Sequence, residues 1–527
     1  MGASAPFFCA PRAGRTGGFA YLCSRNPTHT IRMTLMKTIL LLSLLLLAGP
    51  AGLRGQSPQP ADSLLRARLD TLVKHNLPRG AAAGICIYDL SAGRTLYEHQ
   101  ADKLSRPAST MKVMTAITTL AQPGAMEPFR TELWTTGRVA GDTLRGDLYV
   151  VGSFDPEFDT DDLEELIGGL TRRGIRVVDG RIVGDVSMKD SLYWGSGWLW
   201  DDAPAAYQPY LSPLMLNKGV LQLSIVPDGR GLSALVMGNP SSSYYTIENH
   251  TRSHWPAAGP LRVERNWMEN GNRITLQGNV RAAEGRSFSL FDSGRMFMHV
   301  FVERLLEAGI HCTAVTDSTR TGIEAAYCFG ELPPDSVERT RLAVHETSFQ
   351  AVLDEMLKES DNLNAEAMLC RAGVLASGGK KRVSARDGLD AMRALIKRIG
   401  LNPKHYSLAD GCGLSHYDYL SPELLVAMLR YAYSRSDIFS PLYKALPVSG
   451  MDGTLKYRMG YGTPAFRQVH AKTGSYTGIN ALAGYLKTTE GHWVAFAIMT
   501  QNVLSGRQAR AFQDAVCLEV VKASIRK

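Results

Sequence analysis

Three short patterns in the 527-residue chain combine residue types suited to acyl transfer. Ser109-Thr-Met-Lys112 places an amine three residues after a hydroxyl, Ser360-Asp-Asn362 offers a second hydroxyl and an amide, and Lys472-Thr473-Gly474 adds a second amine. A serine hydroxyl is a poor nucleophile unless a base takes its proton, and an amine one helical turn away does so if its pKa falls from about 10.4 toward neutrality. Burial and a second cation both lower it. Lys112 is therefore expected to be the base for Ser109, with Lys472 as the second cation across a cleft. Ser360 would pass the proton onward, and Asn362 would orient a substrate amide. Lys472 and Thr473 suit a free carboxylate, and Gly474 lets a substrate approach without a side chain in the way. The backbone N–H groups of Ser109 and Ser475 are the expected oxyanion donors. Taken singly, the patterns read as a helix-start serine with a solvated lysine, an N-cap, and a strand entering a turn. Their joint appearance in this order favours the chemistry.

These residues need elements to hold them. Ser109 precedes Val113, Met114, Ala116, Ile117 and Leu120, an apolar run that reads as a buried helix, on which residues three apart share a face. Pro107 sits where a helix start tolerates it. The two other Ser-x-x-Lys matches lack that setting: Ser377 to Lys380 falls in a glycine-rich turn, and Ser524 to Lys527 ends on a basic tail. Strands are expected at 84–90, 95–98, 470–473, 481–486 and 493–499. Lys472 would then lie on a strand beside the nucleophile, where an extended peptide could add by main-chain hydrogen bonds. Helices are expected at 61–73, 349–357, 364–376, 385–399, 424–433 and 508–524, with a separate β-rich region from about 124 to 335.

Composition excludes several classes. Hydrophobic content of 45% and charged content of 20% describe a folded protein, and the length calls for two or three domains. The net charge is +8, yet Arg12, Arg15, Arg25, Arg32, Lys37 and Arg54 precede Gln56 with no acidic residue among them, leaving +2 for the remainder. That balance gives no footprint for nucleic acid. Lys37 is followed by a short apolar run to Leu47 and then small residues to Gly55. This is a signal-peptide pattern over about 36–55, and it implies export to the periplasm, with loose membrane association left open. The six cysteines beyond it form no Cys-x-x-Cys pair and no Cys/His ligand spacing, so no metal site is expected. Cys312 and Cys328 flank a turn-rich stretch and could pair in an oxidising compartment.

The three patterns and their surroundings resemble the D-alanyl-D-alanine carboxypeptidase/endopeptidase family of peptidase S13, the class C low-molecular-mass penicillin-binding proteins. The resemblance covers most of 80–500. It includes Arg106 to Thr115, Trp198-Leu-Trp-Asp-Asp202, Leu342-Ala-Val-His-Glu346, Ser360 to Glu366, Asp410-Gly-Cys-Gly-Leu-Ser415, Gly450 to Leu455 and Ala471 to Ser475. It implies an α+β fold: a penicillin-binding/β-lactamase-type transpeptidase domain, with an antiparallel sheet flanked by helices, interrupted by two inserted β-rich domains. The expected bounds are 57–123 with 341–527 for the catalytic domain, 124–138 with 212–340 for one insertion, 139–211 for the other, and 1–55 for the leader. The implied activity is release of terminal D-Ala from, or cleavage of D-Ala cross-links in, peptidoglycan stem peptides, with acylation of Ser109 by β-lactams and no cofactor. A β-lactamase or esterase on the same site and a silent wall-binding scaffold are the alternatives; homo-oligomerisation is left open. Two positions depart from the family pattern: Cys412 stands where it usually has Ser, and His416 where it usually has an Arg near the side chain preceding the scissile bond. His416 would bind a carboxylate less strongly at neutral pH. Asp201, Asp202 and Tyr207 are expected to line the same pocket and meet an amino group.

Overall fold

The computed structural model describes residues 61–314 and 319–524; the expected leader lies outside the described residues. Five antiparallel strands run in the order Val469–Tyr476, Gly478–Lys487, Trp493–Val503, Ala82–Asp89, Arg94–His99. Alternation along them sorts side chains onto two buried faces. Ile85, Ile87, Leu482, Leu486, Val494, Phe496 and Ile498 pack with the helices Ala61–His75 and Gly506–Val521. Ala481, Ala483, Ala495, Ala497 and Met499 face the opposite way, into the larger core. Those small residues let the helix Pro422–Tyr433 lie close to the sheet. The helix Met111–Leu120 runs through that larger core with every residue buried, its Thr115 and Thr119 hydroxyls donating to backbone carbonyls.

Between the two halves of this unit the chain builds two further cores. One joins the strands Phe129–Thr135, Leu148–Gly152, Ile182–Asp185, Tyr327–Phe329 and Thr340–Thr347 with the helices Thr160–Arg172 and Ser293–Glu307. The other holds two three-stranded sheets within 220–289. The expected bounds at 139 and 211 do not follow these cores. Within 139–185 the strands Leu148–Gly152 and Ile182–Asp185 share a sheet with Phe129–Thr135, and Leu144, Leu163 and Val178 share its core, whereas 220–289 has a core of its own. The two helices also interrupt the stretch expected to be β-rich, because Leu163, Leu166, Ile167 and Leu170 recur at helical spacing within it. Cys312 is a free thiol on the strand His311–Cys312, so the pairing considered with Cys328 is not made. No helix among the described residues is long and apolar enough to cross a membrane.

Candidate active site

Ser109 lies in a single 3₁₀ turn, Ala108–Thr110, immediately before the buried helix. The turn is held tightly. Thr110 donates through both N and Oγ1 to the Pro107 carbonyl, at 3.3 and 2.7 Å, and Ala108 adopts φ +46°, a left-handed conformation that costs a non-glycine residue energy. Two glycines allow the close approach. A Cβ on Gly413 would sit 2.0 Å from the Ala108 oxygen, and one on Gly474 would sit 2.6 Å from the Pro107 oxygen and 3.0 Å from the Ser109 nitrogen. The strand Val469–Tyr476, at the edge of the sheet, thus abuts the turn that carries Ser109, as its sequence predicts. Ser109 itself is half-buried and reachable.

Lys112 is fully buried. Its Nζ lies 3.0 Å from Ser109 Oγ, 2.6 Å from Asn362 Oδ1 and 2.8 Å from the Cys412 carbonyl oxygen. The two carbonyl oxygens can only accept, whereas a hydroxyl does either. A neutral amine has two N–H donors and one lone pair. With both donors committed to Asn362 and Cys412, the lone pair is left facing Ser109, the arrangement needed to receive its proton. Burial lowers the Lys112 pKa from 10.5 and so favours that neutral form. The remaining end of Asn362 is also engaged, its Nδ2 donating to the Tyr207 carbonyl at 2.7 Å. In this state the amide orients the Lys112 amine, a contact not expected from the sequence.

Lys472 is equally buried, its Nζ donating to the Thr473 carbonyl at 2.9 Å. Burial and the charge of Lys112 hold its pKa well below 10.5. A charge on either amine disfavours a charge on the other; Cys412, Asp410, Asp361 and Glu366 favour a charge on Lys112, and Glu359 favours one on Lys472. Thr473 Oγ1 donates to Thr454 Oγ1 at 2.9 Å, and Ser475 Oγ accepts from Asn480 Nδ2 at 2.9 Å. Ser360 sits at φ +69° in the turn before the helix Asn362–Ala376, half-buried. Among the described residues its hydroxyl bonds to neither lysine.

The pocket residues lie near one another. Tyr207 OH donates to Asp202 Oδ1 at 2.5 Å, and His416 stacks on Tyr476 with centroids 5.1 Å apart at 13°. Burial and then Arg106 push the His416 pKa below its usual value, against the pull of Asp202. His416 is thus a neutral ring near pH 7, and the cation beside it is Arg106, which donates through Nε to the His416 carbonyl at 3.1 Å. Beneath the site, Asp410 accepts from the N–H groups of Gly413 and Ser415, from Trp198 Nε1 and from the Cys412 thiol. Glu366 accepts from the N–H groups of Gly411 and Cys412, and burial and Asp410 raise it to about 7. These bonds fix the Cys412 carbonyl that Lys112 uses. The carboxylates and thiol come close enough together to suggest a metal cluster, but their atoms serve one another and the backbone, and burial keeps the thiol protonated.

The model of the D-Ala-D-Ala carboxypeptidase 3 (S13) family matches residues 65–520. The chain belongs to this family. A D-alanyl-D-alanine carboxypeptidase of Actinomadura sp. (strain R39) is 29% identical over 502 residues, 90% of this chain and 88% of that protein. The D-alanyl-D-alanine carboxypeptidase DacB of Haemophilus influenzae is 23% identical over 425 residues, 80% of this chain and 85% of that protein. The crystal structure of penicillin-binding protein 4 (DacB) from Haemophilus influenzae superposes with a TM-score of 0.73 at 23% identity, covering 86% of this chain and 99% of that one. This S13 peptidase accordingly has the α+β penicillin-binding/β-lactamase-type fold with extra domains. The comparisons bear out the family resemblance read from the motifs.

Proposed function

We propose that this S13 chain is an exported serine DD-peptidase that acts on peptidoglycan stem peptides and is acylated by β-lactams. The observation that carries the reading is the Lys112 amine, buried and with its two amine donors already committed, 3.0 Å from Ser109 Oγ. Neutral Lys112 takes the Ser109 proton as Oγ attacks the penultimate D-Ala carbonyl. Backbone N–H groups of Ser109 and Ser475 hold the oxyanion. The C–N bond breaks, the proton passes by way of Ser360 to the departing D-Ala nitrogen, and an ester on Ser109 remains. Water, deprotonated by the same amine, hydrolyses it. The substrate carboxylate settles against Lys472 and Thr473, and its negative charge returns the proton that burial withholds from Lys472. The side chain before the scissile bond meets Asp202, Tyr207 and His416. With His416 neutral, these favour an amino group over a carboxylate. Two relatives support the substrate and drug class: the Actinomadura protein is a D-alanyl-D-alanine carboxypeptidase, and penicillin-binding protein 4 of Haemophilus influenzae has been crystallised with a β-lactam.

The test is labelling with a fluorescent penicillin followed by peptide mapping, together with mass analysis of products from pentapeptide and cross-linked muropeptides. A stable adduct on the peptide containing Ser109, with loss of one alanine or conversion of dimers to monomers, is expected. Rapid turnover of the drug would make the protein a β-lactamase, and absence of any adduct would make it a scaffold; either outcome overturns the proposal.

A further inference from the structure

The inserted region reaches the catalytic motif through a charge as well as through Tyr207. Lys218 sits at φ +60° just before the strand Val220–Val226 and extends its amine to the start of the helix Asn362–Ala376. Its Nζ lies 2.7 Å from Glu157 Oε1, 3.1 Å from Asp361 Oδ2 and 3.7 Å from Glu355 Oε1, and donates to Asn364 Oδ1 at 3.2 Å. Glu157 accepts from Asn364 Nδ2 at 2.6 Å, and Asp361 Oδ1 caps the helix by accepting from Asn364 N at 3.0 Å. Three carboxylates from three segments thus share one ammonium. The middle one, Asp361, stands between Ser360 and Asn362, and Asn362 is the amide that holds Lys112.

The charges around Lys112 give this contact its significance. The groups acting on it are Asp361, Asp410, Glu366 and Cys412, with Lys472 as the neighbouring amine. Asp410 and Glu366 are bound by backbone donors within the core, whereas the charge of Asp361 is balanced by Lys218. We propose that Lys218 is a positioning residue for acyl transfer: it fixes the turn from Ser360 to Asn364 against the insertion and shields the Lys112 amine from the charge of Asp361. This rests on the reading of Ser109 as nucleophile and Lys112 as base. Without that shield an ammonium on Lys112 is favoured, and a larger share of the enzyme is inactive at a given pH.

The experiment measures the second-order rate of acylation by a fluorescent penicillin as a function of pH. Lys218→Met is expected to move the rising limb upward by about one pH unit, which is about a tenfold loss at a fixed pH on that limb. Lys218→Arg should keep the wild-type limb. Adding Asp361→Asn to Lys218→Met should bring the limb back, because asparagine still caps the helix but carries no charge. A strap with a merely structural role would lower the rate at every pH, leave the limb in place and gain nothing from Asp361→Asn; that result overturns the inference. If Lys218→Met does not fold, Asp361→Asn alone decides: its limb must move to lower pH, and an unmoved limb overturns the inference. A wild-type protein that takes no label at Ser109 would instead remove the catalytic reading itself, so the two failures are distinct.

Discussion

A Lys112→Met enzyme should be acylated by penicillin roughly 10²- to 10⁴-fold more slowly than the wild type, the usual worth of a positioned general base. Methionine fills much of the same volume but cannot take a proton from Ser109, and it leaves Asn362 Oδ1 and the Cys412 carbonyl without their shared donor. Leaving two buried acceptors unsatisfied costs about 1–3 kcal/mol each, so the variant should also unfold at lower denaturant concentration. The decisive measurement is the pH profile. The base must be neutral to act, so the wild-type acylation rate rises as pH passes upward through the lowered Lys112 pKa. In the variant that limb should vanish and leave a flat residual rate. A limb surviving in Lys112→Met would place the base elsewhere.

Lys472→Met should separate function from stability. The Lys472 amine is fully buried, donates to the Thr473 backbone carbonyl and lies within the field of Lys112, so the folded chain can hold a proton on it only at a cost. Its pKa in the folded chain lies well below that of the unfolded chain. Between the lowered value and about 10.5 the unfolded chain holds a proton that the folded chain has released, and this contribution to stability therefore rises with pH. Replacing the amine with an apolar group of similar shape should stabilise the protein by about 1–3 kcal/mol at neutral pH and flatten that slope. The same change removes the anchor for the substrate carboxylate, and kcat/KM for a D-Ala-D-Ala peptide should fall about a hundredfold, the worth of a buried charged hydrogen bond. Denaturant titrations at several pH values and peptide hydrolysis measure the two effects. A variant that is less stable than the wild type at neutral pH would contradict this view of Lys472.

Much of the site was legible because its chemistry resides in side chains at short, fixed spacings. Ser109 and Lys112 meet because residues three apart share a helical face, and Lys472 lies beside them because 470–473 is a strand of the central sheet, as expected. Of the other two Ser-x-x-Lys matches, Ser377 Oγ donates to the Val374 carbonyl at its own helix end and Lys380 pairs with Asp387 at the surface, while Lys527 lies outside the described residues. What the sequence hid was mostly main chain. The Cys412 and Tyr207 carbonyls carry no residue-type signal, and their roles depend on which loop the fold brings to Lys112 and Asn362. Lys218 and Glu157 look like ordinary surface charges until tertiary structure sets them against Asp361. Ser360 was recognised by its motif, yet no spacing rule could say whether its hydroxyl touches either lysine before substrate arrives. The cores of the inserted region were misjudged because pairing partners such as 129–135 and 340–347 are far apart in the chain.

Asn362 receives its second anchor from the main chain at Tyr207, while the phenol of that residue projects into solvent toward Asp202. Any amino acid at this position presents the same carbonyl if the local backbone is kept. A single locus therefore offers natural variation a side chain to exchange and an oxygen to leave alone. On the proposed reading, a change of side chain at that locus alters the group that meets the stem peptide while the anchor of Asn362 stays in place.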